Sequence, residues 1–111
     1  MKRKEKEAEE LVQENTDEGY SGLGVRYTEM ERSYGATNYY DFVILEVVKI
    51  PTYYDISTVV GKCYDALKVG GKLYVDTNET SYLYDRFVTI CELFFNPVNE
   101  KDGIYVFVKD K

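Results

Sequence analysis

Residues 41–75 read DFVILEVVKIPTYYDISTVVGKCYDALKVGGKLYV, and this stretch decides the fold. It opens with an apolar run, Phe42–Leu45, which Val47 and Val48 extend beyond Glu46. The run is too continuous for a strand that faces water on one side, and it is rich in residues that suit a pleated surface. It therefore predicts a buried strand over residues 41–48.

The second half of the stretch predicts a helix and a further strand. Between Tyr54 and Lys68 the apolar side chains recur every three or four residues, which predicts a helix of about three turns with one apolar face. These side chains are Ile56, Val59, Val60, Cys63, Tyr64 and Leu67. Gly70 and Gly71 predict a turn that only glycine enters without strain, and residues 72–75 form the next strand.

Strand, helix and strand in this order make a βαβ unit. Its two strands must run parallel, and the crossover between them is right-handed in nearly every known case. A parallel sheet needs cover on both faces, so the fold class is α/β.

The same residues resemble a known family. The segments DFVIL (41–45), DALK (65–68) and VGGKLYV (69–75) are similar to the central and later part of the class I, Rossmann-like S-adenosylmethionine-dependent methyltransferases. In that family the helix after the fourth strand commonly ends in Leu-Lys-Pro-Gly-Gly, and Val69 takes the place of the proline. The resemblance covers residues 38–111, and the whole chain loosely. It implies a mixed, mostly parallel sheet of four to five strands with flanking helices, a partial Rossmann-like methyltransferase fold.

The resemblance also suggests cofactor-binding residues. Residues 4–15 align with the helix after the family's second strand, and Gly24–Met30 align with its third strand. Glu29 or Glu31 then lies where the family often has an acidic residue near the adenine amino group, and Glu46 in the fourth strand is a further candidate. On this alignment the chain lacks the family's first strand, glycine-rich loop, first helix and second strand, which supply most contacts to S-adenosylmethionine. Loss of the central first strand would leave an open strand edge in the sheet.

A second interpretation concerns residues 16–24, TDEGYSGLG, which faintly resemble the family's acidic, glycine-rich cofactor loop. That loop must follow a buried strand and open a helix. Here a charged segment precedes it and a strand-like run, residues 25–28, follows it. We therefore favour the first register.

Two polar or aromatic groups follow the predicted parallel strands. Pro51, Tyr53 and Tyr54 come after the fourth strand, where the family carries its catalytic or substrate-orienting motif, so we expect them at a substrate site or an interface. They do not match the Asn/Asp-Pro-Pro-Tyr/Phe form that acts on bases, which disfavours amino methylation of DNA. Asp76 and Glu79 follow the fifth strand and could be a general base or a metal pair, at a substrate site or an interface, although helix capping explains such residues more simply.

The C-terminal part predicts a helix and a hairpin. Residues 82–93 form an amphipathic helix, residues 93–98 and 104–108 form strands, and residues 99–103 form the turn between them. The resemblance implies that the last strand lies antiparallel between the fifth and sixth.

Size and charge limit the function. The 111 residues suit one domain (1–111), with residues 1–15 as a charged helix whose start frays, and Met1 favours a natural start. The net charge of −6, from 20 acidic and 14 basic side chains, argues against a broad nucleic-acid surface. The sequence has no apolar run near 20 residues and no signal-peptide pattern, so we expect no membrane association and a cytoplasmic location.

The chain has no histidine, which excludes Ser-His-Asp, Cys-His and His-zinc sites, and we expect no metal. Its two cysteines, Cys63 and Cys91, lie on apolar faces of predicted helices. Buried reduced thiols are the simpler interpretation, and a disulfide or a reactive thiol is the alternative.

Two functional hypotheses follow. The first is a binding or assembly module without catalysis that acts through its 12 tyrosines, with self-association as a homodimer or a protein partner. The alternative is a methyltransferase whose S-adenosylmethionine site is completed by a partner chain. The sequence assigns no catalytic residue and no substrate.

Overall fold

The computed structural model describes residues 22–32, 37–77 and 84–110, which build a five-stranded mixed sheet in the order β1-β2-β3-β5-β4. The predicted α/β class is confirmed, while the predicted helix over residues 1–15 lies outside the described residues. The elements are β1 (Gly24–Arg26), α1 (Tyr27–Met30), β2 (Tyr40–Glu46), α2 (Ile56–Ala66), β3 (Leu67–Asp76), α3 (Tyr84–Phe94), β4 (Asn96–Lys101) and β5 (Ile104–Val108).

The predicted βαβ unit forms the centre of the sheet. β2 and β3 are parallel, with Val43 opposite Leu73 and Leu45 opposite Val75, and α2 connects them. β5 pairs antiparallel with β3 on one side and with β4 on the other. The insertion of the last strand between its neighbours, which the family resemblance implied, is confirmed.

The two faces of the sheet carry separate buried clusters, because successive side chains of a strand point to opposite sides. On one face, Val43, Leu73 and Phe107 pack with side chains of α2 and α3, and this cluster is the main core. On the other face, Ile44 and Tyr74 pack with a smaller set from β5. The central strands are therefore buried on both faces, as their continuous apolar sequence predicts.

The two consecutive glycines lie inside β3 and not in a turn before it, so the predicted strand over residues 72–75 was too short. Leu67 already pairs with Tyr40, and the register shifts before Lys72 pairs with Phe42. Gly70 has φ +88°, in the left-handed region that favours glycine, so the predicted need for glycine here is confirmed. A Cβ on Gly71 would lie 2.8 Å from the Lys68 carbonyl oxygen, which is too close, so glycine is also needed at this position.

The predicted strand over Gly24–Met30 was too long. Only Gly24–Arg26 are extended, and Tyr27–Met30 form one helical turn that buries Tyr27 and Met30. β1 pairs in parallel with β2, so β2 is hydrogen-bonded on both sides. Within the described residues, the open edge on this side of the sheet belongs to β1.

Other predicted boundaries also shift. Residues 47–49 form a 3₁₀ turn and not the end of the strand, and the helix predicted over 54–68 spans Ile56–Ala66. α3 continues to Phe94, because Phe87, Cys91 and Phe95 share one buried helical face, and β4 starts only at Asn96. The hairpin turn is therefore shorter than predicted and consists of Asp102 and Gly103, both with positive φ.

One contact that the sequence analysis did not predict is made by a buried lysine. Lys109 is 5% exposed, and its Nζ donates hydrogen bonds to Asn38 Oδ1 at 3.1 Å and to the carbonyl oxygens of Tyr64 at 2.7 Å and Leu67 at 2.8 Å. The ammonium also lies 4.4 Å from the centre of the Tyr64 ring. A cation at this position satisfies carbonyl groups at the C-terminal end of α2 and is favoured by the helix dipole. Lys109 therefore links the end of the chain to the start of β3.

We expect Lys109→Met to lower the free energy of unfolding by about 2–4 kcal/mol, because the variant leaves buried carbonyl oxygens without a donor. Urea denaturation followed by circular dichroism measures the change. Lys101→Met is the matched control, since Lys101 is exposed on β4, and it should change stability by about 0.5 kcal/mol or less. Equal losses in the two variants would contradict the role assigned to Lys109.

Candidate functional site

The carboxyl ends of the parallel strands bring charged side chains together. Glu46 ends β2 and lies opposite Asp76, which ends β3. The Glu46 side chain is 4% exposed and forms ion pairs with Arg26 at 3.1 Å and with Lys49 at 3.5 Å. Thr77 anchors the edge, because its backbone N and its hydroxyl both donate to the Gly103 carbonyl oxygen of the hairpin turn. In open α/β sheets this edge is where ligands bind.

An open cleft of about 600 Å³ lies between the loop after β2 and the first two turns of α3. The loop contributes Pro51, Tyr53 and Tyr54, so the structure brings these three predicted residues together. The other lining residues are Ile50, Thr52, Asp55, Ile56, Ser57, Asp85, Arg86, Phe87, Thr89 and Ile90. The lining is therefore mixed, with seven apolar or aromatic residues and six polar or charged ones, and binding surfaces commonly combine the two.

The two tyrosines of the cleft differ in their surroundings. Tyr53 is 83% exposed, and its ring meets the Tyr54 ring edge to face with the centres 5.2 Å apart. Tyr54 is half-buried, and a side-chain hydrogen bond with Glu31 raises the pKa of its phenol. This hydrogen bond joins the loop after β2 to the residue that follows α1. Tyr54 is therefore held in place, while Tyr53 is presented to solvent.

A helix cap and a turn fix the conformation of the loop after β2. Asp55 is the N-cap of α2, and its Oδ2 accepts hydrogen bonds from the backbone N of Thr58 at 3.0 Å and from its hydroxyl at 2.8 Å. Pro51 accepts a hydrogen bond from the Tyr54 backbone N, which closes a turn. The turn and the cap together fix the loop that carries Tyr53 and Tyr54.

The other residues predicted to bind a cofactor or substrate do not lie together. Glu29 is exposed on α1, and Glu31 is exposed directly after it, while Glu79 lies outside the described residues. The structure thus places Glu46 with Asp76, and Glu31 with Tyr54, as two separate pairs. The roles proposed for these residues stay predictions.

Gly22 and Gly24 make room for side chains of β2. A Cβ on Gly22 would meet Asp41 Oδ2 at 2.1 Å, and a Cβ on Gly24 would meet the Phe42 ring at 1.9 Å. The Leu23 backbone N donates to Asp41 Oδ2 at 2.8 Å. These two glycines therefore serve the packing of β1 on β2.

Both cysteines are free thiols buried in the main core, as the simpler interpretation predicted. Burial raises the pKa of the Cys91 thiol to about 12 and raises that of Cys63 well above its ordinary value. Because the thiolate is the reactive form, both side chains are inert at neutral pH.

Among residues 22–32, 37–77 and 84–110, no three or more Cys, Asp or Glu side chains are grouped so that they could hold a metal ion. Within the same ranges, no helix has the length and apolar character needed to cross a membrane.

The sheet order, the parallel β2-α2-β3 unit and the inserted antiparallel β5 define a Rossmann-like, methyltransferase-like fold. A search of solved structures supports this class. The similar structures include the 16S rRNA N2 G1207 methyltransferase RsmC of Thermus thermophilus in complex with AdoMet and guanosine, with a TM-score of 0.50 and 21% identity over 69% of this chain. A likeness at this level of identity establishes the fold alone.

A second similar structure is a provisionally assigned DNA modification methylase, also from Thermus thermophilus, with a TM-score of 0.48 and 15% identity over 83% of this chain. The chain spans 22% of the length of the first structure and 54% of the second. No protein-family model matches the chain, and no curated protein sequence matches it.

Some residues of these two regions were not predicted from the sequence. Arg26 and Lys49 pair with Glu46, and Phe87 and Ile90 of α3 help to line the cleft. The i,i+3 spacing of Glu46 and Lys49 was a usable signal. Arg26 lies 20 residues from Glu46 along the chain, and no local pattern joins them.

The raised thiol pKa values predict alkaline destabilisation. In the unfolded chain both cysteines ionise above about pH 9, whereas in the folded protein they stay protonated. The free energy of unfolding should therefore be constant near pH 8 and fall above pH 9, by up to about 1.4 kcal/mol per pH unit for each cysteine. Urea denaturation at pH 8 to 10 measures the slope. The Cys63→Ala/Cys91→Ala variant should show a shallower fall, and identical slopes would contradict the prediction.

Proposed function

We propose that this chain is a methyltransferase-like binding or assembly module without catalytic activity, and that the cleft containing Tyr53 and Tyr54 is its binding surface. The observation that carries the proposal is the contrast between two places in the structure. At the carboxyl edge, Glu46 is buried and already engaged by Arg26 and Lys49. The cleft, in contrast, is open and has an exposed tyrosine at its rim.

The chemistry of the cleft suits a protein surface as its ligand. Tyrosine supplies a large contact area with few rotatable bonds, and it is enriched where binding energy is concentrated. The half-buried Ile90 provides an apolar surface, with the buried Phe87 behind it, and Asp85 and Arg86 are exposed charged groups of opposite sign beside it. An apolar centre with a polar surround is the common arrangement in protein interfaces.

We propose a second copy of the chain as the partner, giving a homodimer. A two-fold interface uses the same patch on both subunits, so the patch must present both a projecting group and a recess. The cleft offers both, because Tyr53 projects at the rim and the 600 Å³ recess lies next to it. The net charge of −6 opposes association of two copies, so the contact must be mainly apolar.

Sedimentation equilibrium at tens of micromolar tests the homodimer. The unmodified chain should be dimeric, and Tyr53→Ser should weaken the dimer about thirtyfold, as expected for loss of a central aromatic contact. Tyr39→Ser is a matched control: Tyr39 is also exposed and also meets its neighbour Tyr40 edge to face, but it precedes β2 at the opposite end of that strand. The control should remain dimeric. A monomeric unmodified chain, or equal effects of the two substitutions, would overturn the proposal.

The alternative function is an S-adenosylmethionine-dependent methyltransferase whose cofactor site is completed by a partner chain. Two observations favour it. Glu46 and Asp76 end neighbouring parallel strands at the edge where such sheets bind ligands. In addition, RsmC, whose fold this chain shares in part, is in complex with AdoMet and guanosine. Methyl transfer relies mainly on positioning the reactants, so a chain without histidine is compatible with it.

Calorimetric titration with S-adenosylmethionine and S-adenosylhomocysteine tests whether this chain binds the cofactor by itself; absence of heat would leave the enzyme dependent on a partner chain. For the module we expect no heat of binding at about millimolar ligand, because Glu46 is neutralised within the protein. Glu29→Ala and Glu31→Ala are titrated in parallel, since both residues are exposed candidates for the adenine contact. Saturable micromolar binding that either variant weakens would favour the enzyme.

A further inference from the structure

The cleft that contains Tyr53 and Tyr54 is lined by three charged residues, Asp55, Asp85 and Arg86. The Asp55 carboxylate is engaged in the helix cap of α2, where it accepts two hydrogen bonds from Thr58. Asp85 and Arg86 are exposed neighbours at the start of α3, and neither side chain has an ion pair within the described residues. Adjacent residues of a helix do not face each other, so the two charges do not neutralise one another.

Two neighbouring charges of opposite sign are self-complementary across a two-fold axis. In a two-fold interface, residue i of one copy contacts residue j of the other, and residue j of the first contacts residue i of the second. Asp85 of each copy can therefore lie opposite Arg86 of the other, so that the interface contains the same ion pair twice. A patch with charges of one sign only would repel its own copy.

We infer that Asp85 and Arg86 pair reciprocally between two copies of this chain and so select a second copy, in one orientation, as the occupant of the cleft. The inference rests on the homodimer proposed above and extends it. Tyr53 and the apolar lining of the cleft supply contact area, but apolar contact is non-directional and does not fix an orientation. The two ion pairs supply that direction.

The pair acts on specificity more than on affinity. Exposed ion pairs contribute little binding energy, because water and salt screen them. Like charges held opposite each other cost much more, and this cost rejects a wrong partner or a wrong orientation. Removal of one charge and reversal of one charge should therefore have different effects on the dimer.

Sedimentation equilibrium of charge variants tests the inference. Asp85→Arg makes both positions positive and Arg86→Asp makes both negative, so each variant alone places like charges opposite each other. We expect each to dimerise at least about tenfold more weakly than the unmodified chain. Asp85→Asn, which only removes a charge, should weaken the dimer by about threefold at most.

An equimolar mixture of Asp85→Arg and Arg86→Asp gives the sharper test. One chain now carries both positive charges and the other both negative charges, so each contact across the axis is attractive again. The mixture should dimerise within about threefold of the unmodified chain. Native mass spectrometry should show a heterodimer fraction well above the half that random pairing gives. This recovery also excludes misfolding as the cause of the weakening, because mixing does not rescue a misfolded chain.

Glu92→Arg is the matched control for Asp85→Arg. Glu92 is also exposed on α3 but does not line the cleft, and its substitution changes the net charge by the same amount. Because the chain carries a charge of −6, both substitutions lower the general repulsion between copies. The control should therefore dimerise at least as well as the unmodified chain.

Two results would overturn the inference, and they differ in what they say about the dimer. If the unmodified chain forms a dimer that Tyr53→Ser weakens, while both reversal variants dimerise as well as the control and pair at random, the reciprocal ion pair is wrong and the proposed dimer stands. If the unmodified chain is monomeric, the proposed dimer is wrong and the inference is wrong with it.

Discussion

The structure depends on the position of β3, which is hydrogen-bonded along both edges and buried on both faces. β2 pairs with it in parallel, and β5 pairs with it antiparallel. A strand in this position cannot slip by one residue, because a slip would exchange its two faces. Leu73 and Val75 would then leave the main core, and Tyr74 would enter it. The register of β3 therefore fixes where every other element of the described fold can lie.

Lys109 completes this arrangement at the amino end of β3. Its ammonium satisfies carbonyl groups where α2 ends, and its backbone N donates to the Gly71 carbonyl oxygen at 2.9 Å. At the carboxyl end of β3, the hairpin turn is attached in a similar way, because the Gly103 carbonyl oxygen accepts hydrogen bonds from Thr77. The C-terminal hairpin thus holds both ends of the strand that the rest of the sheet is built on.

Two regions on the carboxyl side of the parallel strands differ in character: the ion pairs of Glu46, and the cleft that contains Tyr53 and Tyr54. Burial of Glu46 is tolerated because Arg26 and Lys49 compensate its charge, and ion pairs of this kind mainly prevent the cost of an unpaired buried charge. In the cleft, Tyr54 is fixed by its hydrogen bond with Glu31 while Tyr53 faces solvent. The cleft that we propose as a binding surface therefore includes a loop that is held by the Asp55 helix cap.

The sequence alone determined the α/β class, the parallel βαβ unit and the grouping of Pro51, Tyr53 and Tyr54 after β2, because these features depend on local periodicity and on neighbours in the chain. Only the tertiary structure decided that residues 27–30 leave the sheet as a helical turn, that β1 closes the edge of β2, and that Lys109 lies buried beneath α2. The physical reason is the same in each case. The deciding partners are distant in sequence: Tyr27 and Met30 are buried in the main core, β1 pairs with β2, and Lys109 bonds groups near the end of α2, so the energy gained depends on what the fold brings together.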